Sequence, residues 1–224
     1  MTTWQAARTW HGGTALATVL ALVLQLVLVV IGVPAPTASD PDPGLGERLF
    51  HLVSYFTILS NLLVLITTTR LAGNAAADGP VWRVLRLNAV VGITVTAVVH
   101  WFLLRPLSDL SGWPYLADKL LHMVVPGLAL LGWLLFGPRQ RVGFRTVLLG
   151  LIYPVGWLCY TLAVGAATGW YPYPFLDVGE RGGGPVAVTS VVLAIVVFGM
   201  SLLMRLGDRR LRRAPAPAPG TVRS

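Results

Sequence analysis

"YFTILSNLL", residues 55–63, sets Thr57, Ser60 and Asn61 within five positions of an otherwise apolar run. Spacings of three and four put all three on one face of a helix. Leu59, Leu62 and Leu63 cover much of the remaining circumference. A stripe of this kind needs protein or water beside it, so the solvent around the rest of the chain decides what it is. Of the 224 residues, 55% are hydrophobic and 12% charged, with a mean hydropathy of +0.71. That charged fraction is about half of what a soluble domain carries. The apolar residues fall in blocks of about 20, enough to cross ~30 Å of hydrocarbon. The chain reads as an all-α, polytopic transmembrane helix bundle in which the stripe faces inward.

Six spans are expected, at about 14–33, 49–69, 84–104, 118–136, 146–166 and 186–206. A signal peptide competes for the first, with Arg8 before it and "APTAS" after it. Its apolar stretch exceeds the ~7–15 residues of a signal core, which favours a span. If the spans are right, thirteen Lys and Arg fall on the side of the termini and four (Arg48, Arg105, Lys119 and Arg181) on the other. Positive-inside bias then puts both termini in the cytoplasm of a cell-membrane protein. The net charge of +8 follows from these flanking arginines, so no nucleic-acid partner is expected. Membrane lipids are the expected surroundings. Cys159 is the only cysteine, which excludes an intramolecular disulfide and a cysteine-based metal site. The bundle is assigned to residues 1–206. The basic, Pro/Ala-rich segment 207–224 is a cytoplasmic tail, with disorder expected from about residue 214.

On this topology His51, His100, His122, Asp118, Asp177 and an aromatic-rich loop at 167–185 all lie in the outer half, and the inner half holds little beyond arginine anchors. Polar groups in lipid are costly without a partner or a wet cavity, so several at one depth suggest a shared cavity opening outward. Asp118 and His122 are four apart, where the carboxylate can orient the imidazole. Pro126 removes a helix hydrogen bond and clashes with the carbonyl of residue 122, which favours a kink there. In "TGWYPYPFLDV", 168–178, two X-Pro steps and Trp170, Tyr171 and Phe175 suit a lid, while a simple aromatic belt explains the same residues. Gly182, Gly183 and Gly184 read as a hinge or loose connector. His100 and His122 as axial haem ligands are weak evidence for haem. No cofactor or metal is expected.

Three patches together resemble the Pr-six-Pr family of bacterial six-span membrane proteins: "YFTILSNLLV" at 55–64, "LHMVVPGLALLGWLLFGPR" at 121–139 and "YPVGWLCYTLAVGAATGWYPYPFLDV" at 153–178. That family's name carries no activity. A Thr followed four residues later by Asn, and a later His followed closely by Pro, more distantly resemble the androgen-induced, FAR-type membrane hydrolases. This resemblance implies a threonine hydrolase of fatty-acid esters, with Thr57 as nucleophile and His122 as base.

Two readings stay open. In the first, Thr57 attacks an acyl carbonyl, His122 takes its proton, Asp118 orients the ring, Asn61 donates to the oxyanion and His100 supports the site. The substrate is then a lipid-like ester entering from the outer leaflet. In the second, the protein is a lipid-binding, transport or structural membrane protein, and its polar stripe holds helices together. On the expected spans Thr57 lies about two turns deep and His122 about one, a gap of roughly 6 Å that tilt or a kink must close.

Overall fold

The computed structural model describes residues 3–33, 43–137 and 141–211. Among the described residues there are helices and turns and no strand. Six helical segments are long and apolar enough to cross a membrane: Thr3–Val30, Phe56–Gly73, Pro80–Leu107, Gly112–Phe136, Phe144–Thr168 and Gly183–Arg210. The chain is an integral membrane protein built as a six-span α-bundle. An even number of crossings puts Thr3 and Arg210 on one side, the terminal side; the other is the loop side. The stretch "APTAS" and the tail beyond residue 214 lie outside the described residues. The last helix runs to Arg210, past the expected boundary at 206.

Helix α1 (Thr3–Val30) lies against α3 (Phe56–Gly73), which in turn packs on α4 (Pro80–Val99). Half of the second span and 56% of the third are buried, against 17% of the fifth and sixth. The second and third spans are therefore the core. Close approach of α3 and α4 depends on Gly92, where a Cβ would come within 2.9 Å of the Ser60 hydroxyl. Several hydroxyls in the spans return to their own helix: Thr14 donates to Trp10 O (2.9 Å), Thr18 to Thr14 O (2.8 Å) and Thr68 to Val64 O (2.7 Å).

The second span is not the continuous 49–69 helix expected. A separate helix α2 (Leu45–Ser54) precedes it, and Tyr55 interrupts the two with an extended backbone, φ −70° and ψ 128°. No Pro or Gly stands there; tertiary partners sustain the break. Helix ends leave carbonyls and amides without intrahelical partners. Here Trp157 Nε1–H donates to Ser54 O (2.9 Å), the Ser54 hydroxyl meets the Tyr160 hydroxyl (2.8 Å), and the Thr57 amide reaches the Tyr173 hydroxyl (3.4 Å). Trp157 and Tyr160 belong to α8 (Ile152–Thr168), which continues α7 (Phe144–Gly150) in the fifth span. Thr57 thus occupies the first turn of its span, not a position two turns deep.

The third and fourth spans each contain one π-helical turn, His100–Leu104 and Leu120–Val124. In the fourth span the turn joins α5 (Gly112–Lys119) to α6 (Val125–Phe136). Pro126 cannot donate to residue 122, and the widened turn just before it accommodates that loss. Gly169, at φ 77°, ends α8 in the left-handed region, with its amide on Gly165 O at 2.8 Å. The chain then folds inward: Tyr173, Phe175 and Leu176 are buried with Phe56 and Val186. Asp177 caps the short α9 (Val178–Arg181) by accepting from the Glu180 amide (3.1 Å). Gly182 alone turns the chain, at φ 78°. Gly183 and Gly184 already belong to α10 (Gly183–Arg210), so this is no loose connector.

The terminal half is richer in buried polar groups than expected. His11 and Asn88 are buried there, and Asp208 is 1% exposed. The Asp208 carboxylate accepts the amides of Arg141 (2.7 Å) and Val142 (2.9 Å). A lone carboxylate near the end of a basic helix reads from sequence as surface, whereas here it fastens an interhelical loop.

Candidate active site

Thr57 enters the site from the first turn of α3, and His122 from the π turn of the fourth span. The Thr57 hydroxyl lies 3.3 Å from His122 Nε2. The expected 6 Å depth gap is absent. His122 Nδ1 has two acceptors, Asp118 Oδ1 at 3.1 Å and Asp118 O at 3.0 Å. Two acceptors on one nitrogen hold the proton of the neutral ring there. Nε2 therefore presents its lone pair to Thr57. The second Asp118 oxygen accepts from Lys119 Nζ at 2.8 Å.

His100, on the other π turn, stacks on His122 with centroids 4.0 Å apart and planes 14° apart. Its Nε2 is 3.4 Å from the same Asp118 Oδ1 but is not aligned for a hydrogen bond, and the nitrogen is buried. His100, Asp118 and His122 have ligand atoms within 4.8 Å of one another, a spacing compatible with a metal. The stack argues against that assignment. Imidazole lone pairs lie in the ring plane, and two near-parallel planes cannot both contain one ion seated between them. Rings in stacking contact likewise leave no room for a porphyrin. As arranged, Asp118 holds His122 and His100 stacks on the His122 ring.

Tyr173 completes the site from the 169–177 loop. Its hydroxyl is 3.3 Å from the Thr57 hydroxyl and 3.4 Å from the Thr57 amide. Burial pushes this phenol up to about 12, despite the contacts with Thr57 that pull it back, so it retains its proton. Sequence reading does not single out Tyr173 as a site residue. A tyrosine between two prolines, held in a short extended piece, was the available signal. Of the three aromatics expected to form a lid, Trp170 stacks on His51 (3.8 Å, 8°), Tyr171 packs across Gly165, and Phe175 stacks on Tyr173 (5.2 Å, 7°).

Asn61 is fully buried and turned to backbone. Its Nδ2 donates to Thr57 O (2.8 Å) and approaches Leu121 O (3.4 Å), which ties α3 to the π turn under His122. That amide is a brace for the site. Ser60, the third member of the stripe, meets the Tyr153 hydroxyl at 3.2 Å, so the whole stripe faces protein.

Thr57 and Tyr173 stand in a wall between two cavities. One, of about 170 Å³, is lined by His100, Asp118 and His122 and by loop residues including Ser108 and Pro172. The other, of about 120 Å³, is almost wholly apolar, lined by Phe56, Val95, Val99, Trp157, Leu158 and Val197. It lies towards the fifth and sixth spans, whose Val155 is 46% exposed on the lipid side.

Fold and site together define a six-span integral membrane protein with a Thr–His–Asp cluster at a junction between polar and apolar cavities. No family model, curated protein or solved structure matches the chain.

Proposed function

We propose that this protein hydrolyses lipid or fatty-acid esters within a cell membrane, with Thr57 as nucleophile and His122 as general base. The observation that carries the reading is the 3.3 Å contact between the Thr57 hydroxyl and the lone-pair nitrogen of an imidazole whose other nitrogen is bound to Asp118. A hydroxyl is a weak nucleophile without such a base, and unliganded pairs sit slightly beyond the ~2.6–3.2 Å of the working geometry. His122 Nε2 takes the Thr57 proton as Oγ1 bonds to the acyl carbon. The Tyr173 hydroxyl donates to the oxygen that becomes negative. Collapse of that intermediate breaks the ester C–O bond, and His122 returns the proton to the departing alkoxide. Water, deprotonated by the same nitrogen, then releases the acid from Thr57. Asp118 holds the ring in the productive tautomer throughout.

The apolar cavity suits the acyl chain and the polar one the alcohol portion and water. The 13-to-4 distribution of basic residues makes the terminal side cytoplasmic, so esters enter from the outer leaflet. The FAR-type resemblance points the same way. Purified protein should cleave long-chain p-nitrophenyl esters, and Thr57→Ala should remove the activity. Turnover that survives in Thr57→Ala excludes this mechanism. Bound lipid without turnover in the wild type favours the non-enzymatic, lipid-binding alternative.

A further inference from the structure

Far from the candidate active site, on the terminal side, four arginines from three parts of the chain line one cavity of about 780 Å³. Arg83 comes from the first turns of α4, Arg141 and Arg145 from the loop into α7 and its start, and Arg209 from the end of α10. Like charges do not converge without something to hold them. Arg83 makes a two-pronged contact with Asp78 (2.8 and 2.7 Å). The Arg141 guanidinium donates to Ala76 O (3.1 Å) and Ala77 O (3.2 Å) and lies 3.5 Å from the same Asp78. Buried Asp208 pins the backbone of this loop through the Arg141 and Val142 amides. The carboxylates present are thus committed to holding the arginines in place.

Among the described residues no ion pair reaches Arg145 or Arg209, and both are exposed. Four guanidinium groups against Asp78 and Asp208 leave two positive charges uncompensated. All four arginines sit at span ends, at the level where a bilayer presents its phosphates. Val84 and Leu149 supply an apolar wall to the same cavity, and Leu149 is 42% exposed. Guanidinium forks match phosphate oxygens in pairs, and basic pockets between spans suit anionic headgroups.

We infer that this pocket binds a phosphate-bearing anion, with Arg145 and Arg209 gripping the phosphate and the chains of an anionic phospholipid lying along Val84 and Leu149. The inference is independent of the hydrolase reading and is tested without any turnover measurement. Full-length protein in nanodiscs of phosphatidylglycerol or phosphatidylcholine is released and its retained lipid counted by native mass spectrometry. Inorganic phosphate serves as competitor, and thermal unfolding as a second readout. The expected result is at least tenfold preferential retention of phosphatidylglycerol, lost in the Arg145→Gln/Arg209→Gln double variant and partly kept in the double lysine variant. Displacement of the lipid by phosphate supports recognition of the phosphate itself. Retention against phosphate supports a headgroup held together with its chains. Stabilisation of the wild type by phosphate alone, absent in the double glutamine variant, assigns the site to a soluble phosphate ester. Equal retention of both lipids without any phosphate effect, or an unchanged preference in the glutamine variant, overturns the inference.

Discussion

Thr57 carries a different chemical meaning depending on what faces it, and here an imidazole lone pair and a phenol both do. His122→Ala should lower ester turnover by about 10²–10⁴-fold, the usual contribution of a positioned base. The Thr57→Ala/His122→Ala double variant should be no worse than the worse single, because the two act as one unit. Tyr173→Phe should lower kcat with little change in KM, since its hydroxyl is asked to stabilise charge that exists only in the transition state. A change confined to KM would remove Tyr173 from that role. His51 offers a pH-dependent readout. Burial, in which the stacked Trp170 ring takes part, pushes its imidazole below the ordinary 6.5, and Glu47 only partly offsets this. A histidine with a lowered value favours its neutral form in the folded state. The docking of Trp170 on it is therefore intact above about pH 6.5 and weakens as the pH falls below that value. Ring-proton NMR should find His51 titrating below 6.5, and Trp170→Ala should return it towards 6.5. An unchanged midpoint in that variant would mean the stack contributes nothing.

At the scale of elements, the departures from regular helix mark the site. The break at Tyr55 starts a span at Thr57, and the two π turns aim His100 and His122 at one carboxylate. Trp157→Phe keeps most of the ring but leaves the Ser54 carbonyl without its donor. The cost should be about 1–3 kcal/mol, read as a lower thermal midpoint in detergent. Wild-type stability in that variant would show that the break needs no such support. Gly165 bears the face of Tyr171, and a Cβ there would overlap the ring. Gly165→Ala should therefore displace the loop that delivers Tyr173, at about 1–3 kcal/mol, and lower turnover with it. Normal stability together with full activity would contradict that placement.

Across the whole molecule, the six apolar segments were legible because the bilayer demands about 20 apolar residues per crossing. Which end of the bundle they share could also be read, though not their depth: Thr57 and His122, residues 65 positions apart, do meet. The terminal half was misjudged because a buried carboxylate such as Asp208 looks like any surface acid until its amide partners are known. Topology tests the bundle as a unit. Reporters fused after residues 40, 110 and 178 should report the outside, and those after 76, 141 and 214 the cytoplasm. One exchanged pair would mean a misassigned span, and complete inversion would overturn the placement of the site in the outer leaflet.

The sequence alone determined the solvent, the number of crossings and the inward polar stripe, because hydropathy and helical spacing are local properties of the chain. Only the tertiary structure decided the break at Tyr55, the π turns and the arrival of Tyr173 at Thr57. Each depends on partners at least 60 residues away: Trp157 on Ser54 O, Asn61 near Leu121 O, Tyr173 on the Thr57 amide. A helix interrupted without Pro or Gly exposes backbone groups that water cannot reach inside a bundle, so it exists only where distant side chains satisfy them.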